Sequence, residues 1–198
     1  MKYYLLPLLL LTTNFLAQGQ KYSSILSDTQ IISFITWIVT KDGKKTDRYL
    51  NAEIVKNDTS LYLFNDSAKF RAFDNLNIFQ PKYHLDTLLT ERDANFFIKQ
   101  INSQKATKWE YIFPYTVLVE YPKITKDKKL NFKHLQEFNK KHPTVWRYSL
   151  PLFSLDYSKV ILIESYSCGT ACGGVSFILY ERKENNWRKV REFNQLSN

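Results

Sequence analysis

Apolar residues recur with helical spacing in the first part of the chain, directly after a helix-start pattern. Ser27 and Gln30 fit a capping box, in which the serine oxygen bonds the third amide of the helix and the glutamine returns to the cap. The apolar positions that follow lie at i, i+3, i+4 and i+7: Ile31, Phe34, Ile35 and Ile38. The pattern predicts a helix that ends near Asp42 and Gly43, although its many β-branched residues leave a strand as an alternative.

A second helix is predicted after Thr90, which is a favourable N-cap residue. Glu91 and Asp93 place acids in its first turn, where they meet the positive end of the helix dipole. One apolar stripe then follows: Ala94, Phe97, Ile98 and Ile101. The helix should run to about Ser103.

A short third helix is predicted over residues 131–141, in which apolar side chains are again spaced by three: Phe132, Leu135 and Phe138. His142 precedes Pro143, and a residue before proline avoids the α region. The helix should therefore end at this pair.

Strand-like segments lie between the predicted helices. Residues 49–56 and 60–64 are predicted as two short strands of a hairpin, with Asn57, Asp58 and Thr59 as the turn. Residues 109–120 are aromatic and β-branched but contain Pro114, which predicts an edge strand or an irregular crossing segment.

The last third of the chain has the most regular strand pattern. Residues 159–167, 175–182 and 187–193 are predicted strands, and the links between them are short enough to make neighbours antiparallel. Alternation along the middle strand predicts one buried side and one partly covered side. We therefore predict an α+β fold, with an antiparallel β-meander in the C-terminal third packed against two or three helices.

The N-terminus has the pattern of an export signal. Lys2 precedes an apolar run at residues 5–11, and Ala17 and Gly19 are small residues suited to cleavage near residues 17–19. The run is shorter than the roughly 20 residues that a transmembrane helix needs, and no cysteine follows it to carry a lipid anchor. Residues 1–19 are predicted as a signal peptide, and the mature protein as soluble and secreted or periplasmic.

Residues 20–198 fit a single domain with an N-terminal helix and hairpin part, at about 20–110, and a C-terminal sheet at about 145–195. The full chain carries a formal charge of +9, and Lys2 is the only charged residue before residue 20, which leaves +8 after cleavage. Such an excess favours contact with anionic surfaces, although it does not bear on the fold.

Both cysteines, Cys168 and Cys172, lie in one glycine-rich turn between two predicted strands. In an exported protein, this pair is best interpreted as a disulfide that fixes a hairpin tip. Free structural thiols are the main alternative, because the spacing differs from that of a redox motif and no second pair completes a zinc site.

A family resemblance extends over residues 78–104 and 147–193. Three segments resemble the C-terminal part of small uncharacterised secreted bacterial proteins. Those proteins have the motifs S-x-P-[IL]-F-S-x-D, C-G-x-x-C-G and G-x-W, and the matching segments here are Ser149 to Asp156, the cysteine turn with its glycines, and Trp187. This chain departs from that pattern before Trp187, where Asn185 and Asn186 replace the glycine turn of those proteins. The resemblance implies a secreted α+β domain and no established reaction, ligand or catalytic residue.

The common signatures of catalysis are absent from the sequence. Neither G-x-S-x-G, S-x-x-K nor a phosphate-binding glycine loop occurs, and His84, His134 and His142 lack the spacing of metal ligands. Asp93 and Asp156 stand in the resembling segments, but a helix-dipole partner and a turn acceptor are their simpler interpretations. We predict no catalytic residue, cofactor or metal.

Basic residues concentrate around the third predicted helix and the last predicted hairpin. We predict a candidate anion-contact face made of Lys126, Lys128, Lys129, Lys133 and Arg188, if these two regions adjoin. The alternative is that the lysines only solvate loops. Export and the lack of a recognised module argue against nucleic acid as the partner.

These observations favour an exported protein that binds or interacts without catalysis, at the cell envelope or outside the cell. An anionic envelope component or a polysaccharide is the expected partner. The alternative is a hydrolase that acts on envelope material through a carboxylate site assembled by the fold.

Overall fold

A computed structural model describes residues 20–41, 48–57, 88–123, 125–169, 172–184 and 186–197. The elements in this part of the chain are α1 (Asp28–Thr40), β1 (Arg48–Asn51), α2 (Glu91–Asn102), β2 (Thr116–Val119), α3 (Lys128–Lys141), β3 (Val145–Tyr148), β4 (Leu152–Phe153), β5 (Lys159–Ser167), β6 (Gly173–Lys183) and β7 (Asn186–Ser197). The predicted export signal, the helix stop at residues 42–43 and the predicted strand at residues 60–64 lie outside the described residues. None of the described helices is long and apolar enough to cross a membrane.

The strands form one seven-stranded sheet with the order β2-β1-β3-β5-β6-β7, and β4 pairs with β5. Strands β5, β6 and β7 form the predicted antiparallel meander, and β3 and β4 are also antiparallel to β5. Strand β1 instead pairs in parallel with both β2 and β3. The predicted α+β class and meander are confirmed, and a parallel part that was not predicted extends the sheet.

Buried residues lie on both faces of the sheet. In β6, Ile178 and Tyr180 pack in one core with α1, whereas Phe177 and Leu179 pack in a second core with α2. The prediction that one side of this strand is only partly covered is wrong over these four residues, because a helix lies over each face. We call the side that carries Ile178 the α1 face of the sheet.

Helix α1 begins as the sequence predicts. The Gln30 amide N–H donates to the Ser27 Oγ at 3.2 Å, and the Ser27 N–H donates to the Gln30 Oε1 at 3.1 Å. Together these bonds satisfy two amides that a helix start leaves unpaired. The buried stripe contains all four predicted positions and one more: Ile31, Phe34, Ile35, Ile38 and Val39.

Helix α2 is also confirmed and ends at Asn102, with Ser103 as its C-cap. Its N-terminus is a second capping box, in which the Asp93 Oδ2 accepts the Thr90 N–H at 2.8 Å and the Thr90 Oγ1 accepts the Asp93 N–H at 3.2 Å. Asp93 therefore holds the helix start by hydrogen bonds in addition to its favourable position in the dipole.

Helix α3 begins three residues before the predicted start because the Asp127 carboxylate accepts the N–H groups of Lys129 and Leu130. It ends at His142, as predicted. Phe138 packs on Tyr121, with ring centroids 4.9 Å apart. Phe132, another of the apolar positions that predicted this helix, is 55% exposed.

The first strand is shorter than predicted. The Asn51 Oδ1 accepts the Glu53 N–H at 2.7 Å, a local bond that competes with the sheet ladder and ends β1. Beyond it the chain forms only single bridges, from Glu53 to Lys108 and from Val55 to Ser149. Among the described strands, β2, which follows Pro114, lies at an edge of the sheet, in line with one of the two alternatives predicted for this segment.

Candidate functional site

The cysteine turn connects β5 to β6. A disulfide joins Cys168 to Cys172, whose Cα atoms are 5.0 Å apart. The Cys168 N–H also donates to the Cys172 carbonyl at 2.9 Å. Gly169 has a φ of +107°, which an L side chain would strain. A Cβ at Gly173 would lie 2.8 Å from the Tyr166 carbonyl oxygen. The predicted pairing is confirmed, and these two glycines allow the tip to close.

Asp93 and Asp156 lie on the same small cleft, of about 430 Å³, at the N-terminus of α2. Hydrogen bonds from the Ser154 and Ser158 side chains and from the Ser158 N–H lower the pKa of Asp156 to about 2. Burial raises the pKa of Asp93, but hydrogen bonds from Thr90 and the Leu155 N–H bring it below its ordinary value. Both side chains therefore stay ionised and act in local structure, in agreement with the simpler interpretation, and neither suits a general acid.

The lowered pKa of Asp156 predicts a specific loss of stability in acid. The charged form is favoured in the folded state, so its contribution is full above the ordinary pKa near 4 and is lost as the pH falls towards 2. We expect Asp156→Asn to destabilise the protein at pH 6 and to differ little from the wild type near pH 2. Urea unfolding at a series of pH values measures the free energy of unfolding of both proteins. A difference between them that stays constant with pH would contradict this explanation.

A larger cleft, of about 540 Å³, lies between residues 53–57 and the segment that follows α2. Lysines at positions 56, 105 and 108 line it, and Glu53 is the one carboxylate among its described residues. A carboxylate-based hydrolase needs two cooperating carboxyl groups in most cases. The described lining of this cleft does not provide that pair.

The predicted anion-contact lysines gather at one end of α3. Lys126, Lys129 and Lys133 are all exposed, and Lys128 is the first residue of the helix. The Lys133 Nζ lies 4.0 Å from the Glu137 Oε1, and such an exposed ion pair contributes little to stability. The local chain thus brings Lys126, Lys129 and Lys133 close together in the sequence around the start of this helix.

Arg188 is not part of this group. It lies on β7 and pairs with Glu181 at 3.0 Å. The C-terminal end of α3 packs near β1, where the rings of His142 and Tyr49 are 4.6 Å apart. Four strand spacings, about 19 Å, separate β1 from β7 in the sheet. None of the contacts among the described residues joins Arg188 to the lysines of α3.

A polar and aromatic cluster that the sequence did not indicate lies on the α1 face, beyond the C-terminal end of α1. Strand register places Trp146 beside Tyr166 and Tyr148 beside Glu164, and it places Ser176 on the other side of Glu164. We call one part of this cluster the Glu164 face; it is made of Arg48, Trp146, Glu164, Tyr166, Ser176 and Glu192.

The two carboxylates of the Glu164 face have opposite electrostatic surroundings. Burial, together with the charge of Glu192, raises the pKa of Glu164 against the opposing effect of Lys41 and Arg48. Hydrogen bonds from Lys189 and from Ser176 lower the pKa of Glu192. A half-buried carboxyl with a raised pKa is a common mark of a functional site, although it does not identify one alone.

One sequence signal could have pointed to Glu164. Residues 160–163 are all buried, and the next residue of the strand is a glutamate. A carboxylate next to a buried stretch of strand must either be reached by water or accept hydrogen bonds from other residues. Among the described residues, no group of three or more His, Cys, Asp or Glu side chains could hold a metal ion.

Comparison with known proteins adds no assignment: the chain matches no protein-family model, no curated protein and no solved structure.

Proposed function

We propose that this protein is exported and acts without catalysis, by attaching through α3 to an anionic phospholipid surface of the cell envelope. The observation that carries the proposal is the outward side of α3. An exposed aromatic ring lies there between exposed lysines: Lys129, Phe132, Lys133, Gln136 and Lys140 follow one another at helical spacing. The export pattern and the disulfide support an extracytoplasmic location.

Two properties of this stripe favour a lipid surface over an acidic polysaccharide. The lysines attract either partner, because both carry negative charge. Phe132 is an exposed apolar side chain within this stripe, and an interfacial helix buries such side chains at the boundary of headgroups and acyl chains. A hydrated polysaccharide would leave its ring in water.

The hydrolase alternative receives less support. Asp93 and Asp156 hold a helix start and a turn, so neither is available to transfer a proton. Glu164 has the raised pKa that an acid needs. Its possible partner Glu192, however, already accepts bonds through both oxygens, from Ser176 at 2.8 Å and from Lys189 at 2.6 Å.

The proposal predicts that the mature protein binds vesicles that contain phosphatidylglycerol and does not bind vesicles of pure phosphatidylcholine. Reversing Lys126, Lys129 and Lys133 to glutamate should weaken binding by more than a hundredfold, because each lysine near an anionic surface contributes about 1 kcal/mol. Phe132→Ala should weaken it by a smaller factor. Vesicle co-sedimentation over a range of salt concentrations measures these effects, and binding should fall as salt rises.

The matched control reverses three exposed lysines elsewhere, at positions 56, 105 and 183, which changes the net charge by the same amount. If this control loses binding as fully as the α3 variant, net charge alone attracts the protein and the α3 surface is not the site. Binding of an acidic polysaccharide that depends on the α3 lysines, without binding to vesicles, would transfer the proposal to that partner.

A further inference from the structure

The Glu164 face is a second candidate binding surface, separate from α3. We propose that it binds a neutral saccharide, which stacks on the exposed ring of Tyr166 beside Trp146 and forms hydrogen bonds with Glu164. The proposal rests on the geometry of this face, on the exposure of Tyr166 and on the balance of charges among the described residues, and it does not depend on the binding of vesicles by α3.

The aromatic part of this face is a pair of adjacent rings. Trp146 and Tyr166 lie on neighbouring strands with ring centroids 5.3 Å apart and an interplanar angle of 41°. Tyr166 is 38% exposed, although a large side chain at this depth of a sheet is more often covered. The faces of aromatic rings carry negative charge, which attracts the C–H groups on the apolar side of a sugar ring.

Gly174 and Arg48 hold this aromatic pair in place. Gly174 pairs with Tyr166 across β5 and β6, and a Cβ there would lie 3.0 Å from the tyrosine ring. The Arg48 guanidinium lies 5.8 Å from the centre of the Trp146 ring. Both rings are therefore oriented by their neighbours, which lowers the entropy that a ligand must overcome on binding.

Polar side chains continue the same face on three adjacent strands. Glu164 of β5 stands beside Ser176 of β6, and the Ser176 Oγ donates to the Glu192 Oε1 of β7 at 2.8 Å. Sugar hydroxyl groups both donate and accept, so a row of carboxylate and hydroxyl oxygens next to an aromatic pair matches their chemistry.

Among the described residues, charges of both signs surround Glu164, which favours a neutral ligand. Lys41 and Arg48 act on Glu164 from α1 and β1, and Glu192 and Lys189 act on it from β7. The carboxylates disfavour an anionic ligand, and the cations disfavour a cationic one, because like charges placed together cost free energy. A neutral polyhydroxylated ligand meets neither penalty.

This face and the α3 surface lie on opposite sides of the sheet. Arg48 shares the α1 face with Trp146, whereas the neighbouring residue of β1, Tyr49, contacts His142 at the end of α3. Successive side chains of a strand point to opposite faces. The two proposals can therefore fail independently.

The test titrates the mature protein with two neutral probes, the hexamer of N-acetylglucosamine and the hexamer of glucose, by calorimetry and by tryptophan fluorescence. We expect saturable binding of at least one probe, a change in fluorescence that Trp146→Phe removes, and little dependence on salt. Tyr166→Ala should weaken binding about tenfold, the equivalent of one lost aromatic contact. Glu164→Gln, which keeps the shape of the side chain, should also weaken it.

Tyr111→Ala is the matched control, because Tyr111 is 41% exposed and remote in sequence from this face; it should bind as the wild type does. Melting temperatures of all variants identify any that fail to fold, and Glu164→Gln keeps the test valid if Tyr166→Ala unfolds. The absence of saturable binding to both hexamers overturns the proposal. Binding that survives Tyr166→Ala and Glu164→Gln equally overturns it as well.

Discussion

Replacing Phe34 with alanine should lower the free energy of unfolding by about 3 to 5 kcal/mol. Phe34 is 1% exposed and lies at the centre of the core between α1 and the sheet. Four aromatic rings surround it, with centroids between 5.1 and 6.1 Å away: Trp37, Phe153, Tyr180 and Trp187. The smaller side chain would leave a cavity that this many rigid neighbours cannot close, so both burial and edge-to-face contacts are lost.

Urea unfolding followed by circular dichroism measures this change, with Phe132→Ala as the matched control. Phe132 has the same side chain on another helix but is mostly exposed, so its substitution should change the free energy of unfolding by no more than about 0.5 kcal/mol. Similar losses in the two variants would show that the core does not depend on the cluster around Phe34.

The helices α1 and α2 could be predicted because their signals are local. Ser27 with Gln30 and Thr90 with Asp93 meet within one helical turn, so the sequence spacing alone brings each pair together. The meander was predictable for the same reason, since the short links after β5 and β6 restrict the next strand to an antiparallel neighbour.

The parallel part of the sheet could not be predicted from local pattern. Strand β1 has only four residues, and its partners β2 and β3 begin 68 and 97 positions after Arg48 in the numbering. Parallel pairing requires a long crossover between strands, and such distant pairing leaves no signal within a short window of sequence.

The Glu164 face escaped prediction because register creates it. Trp146, Glu164 and Ser176 belong to three different strands, and they share a face only because Trp146 pairs with Tyr166 and Glu164 pairs with Ser176. A shift of one residue in either pairing would place one strand's side chains on the opposite face. A composition or motif search over single segments cannot detect such a site.

The spacing of serines and aspartate in the segment Ser149 to Asp156 has a structural explanation in this fold. The Ser149 Oγ accepts the Ile163 N–H at 3.0 Å, and the Ser154 Oγ accepts the Lys159 N–H at 2.8 Å and donates to Asp156 at 2.6 Å. These side chains satisfy backbone groups of β5 and hold the turn before it. The segment therefore has a structural role, which does not by itself indicate a reaction.

Gln100→Met should destabilise the protein by about 2 to 5 kcal/mol, because it leaves two buried backbone groups unpaired. Gln100 is 1% exposed on α2. Its Nε2 donates to the Phe153 carbonyl at 2.6 Å, and its Oε1 accepts the Phe153 N–H at 2.8 Å. The side-chain amide thus pairs with β4 as a neighbouring strand would. Methionine has a similar length and helix propensity but cannot replace either bond.

Gln136→Met on the exposed side of α3 is the control, and it should be nearly neutral because its side chain stays in water. Urea unfolding gives the two free energies, and hydrogen exchange identifies where the loss occurs. We expect the Phe153 amide to exchange faster in Gln100→Met than the amides of β6, since β4 loses the partner that covers its outer edge. A loss of less than about 1 kcal/mol, with the Phe153 amide still protected, would show that β4 is held by β5 and its core contacts without the glutamine.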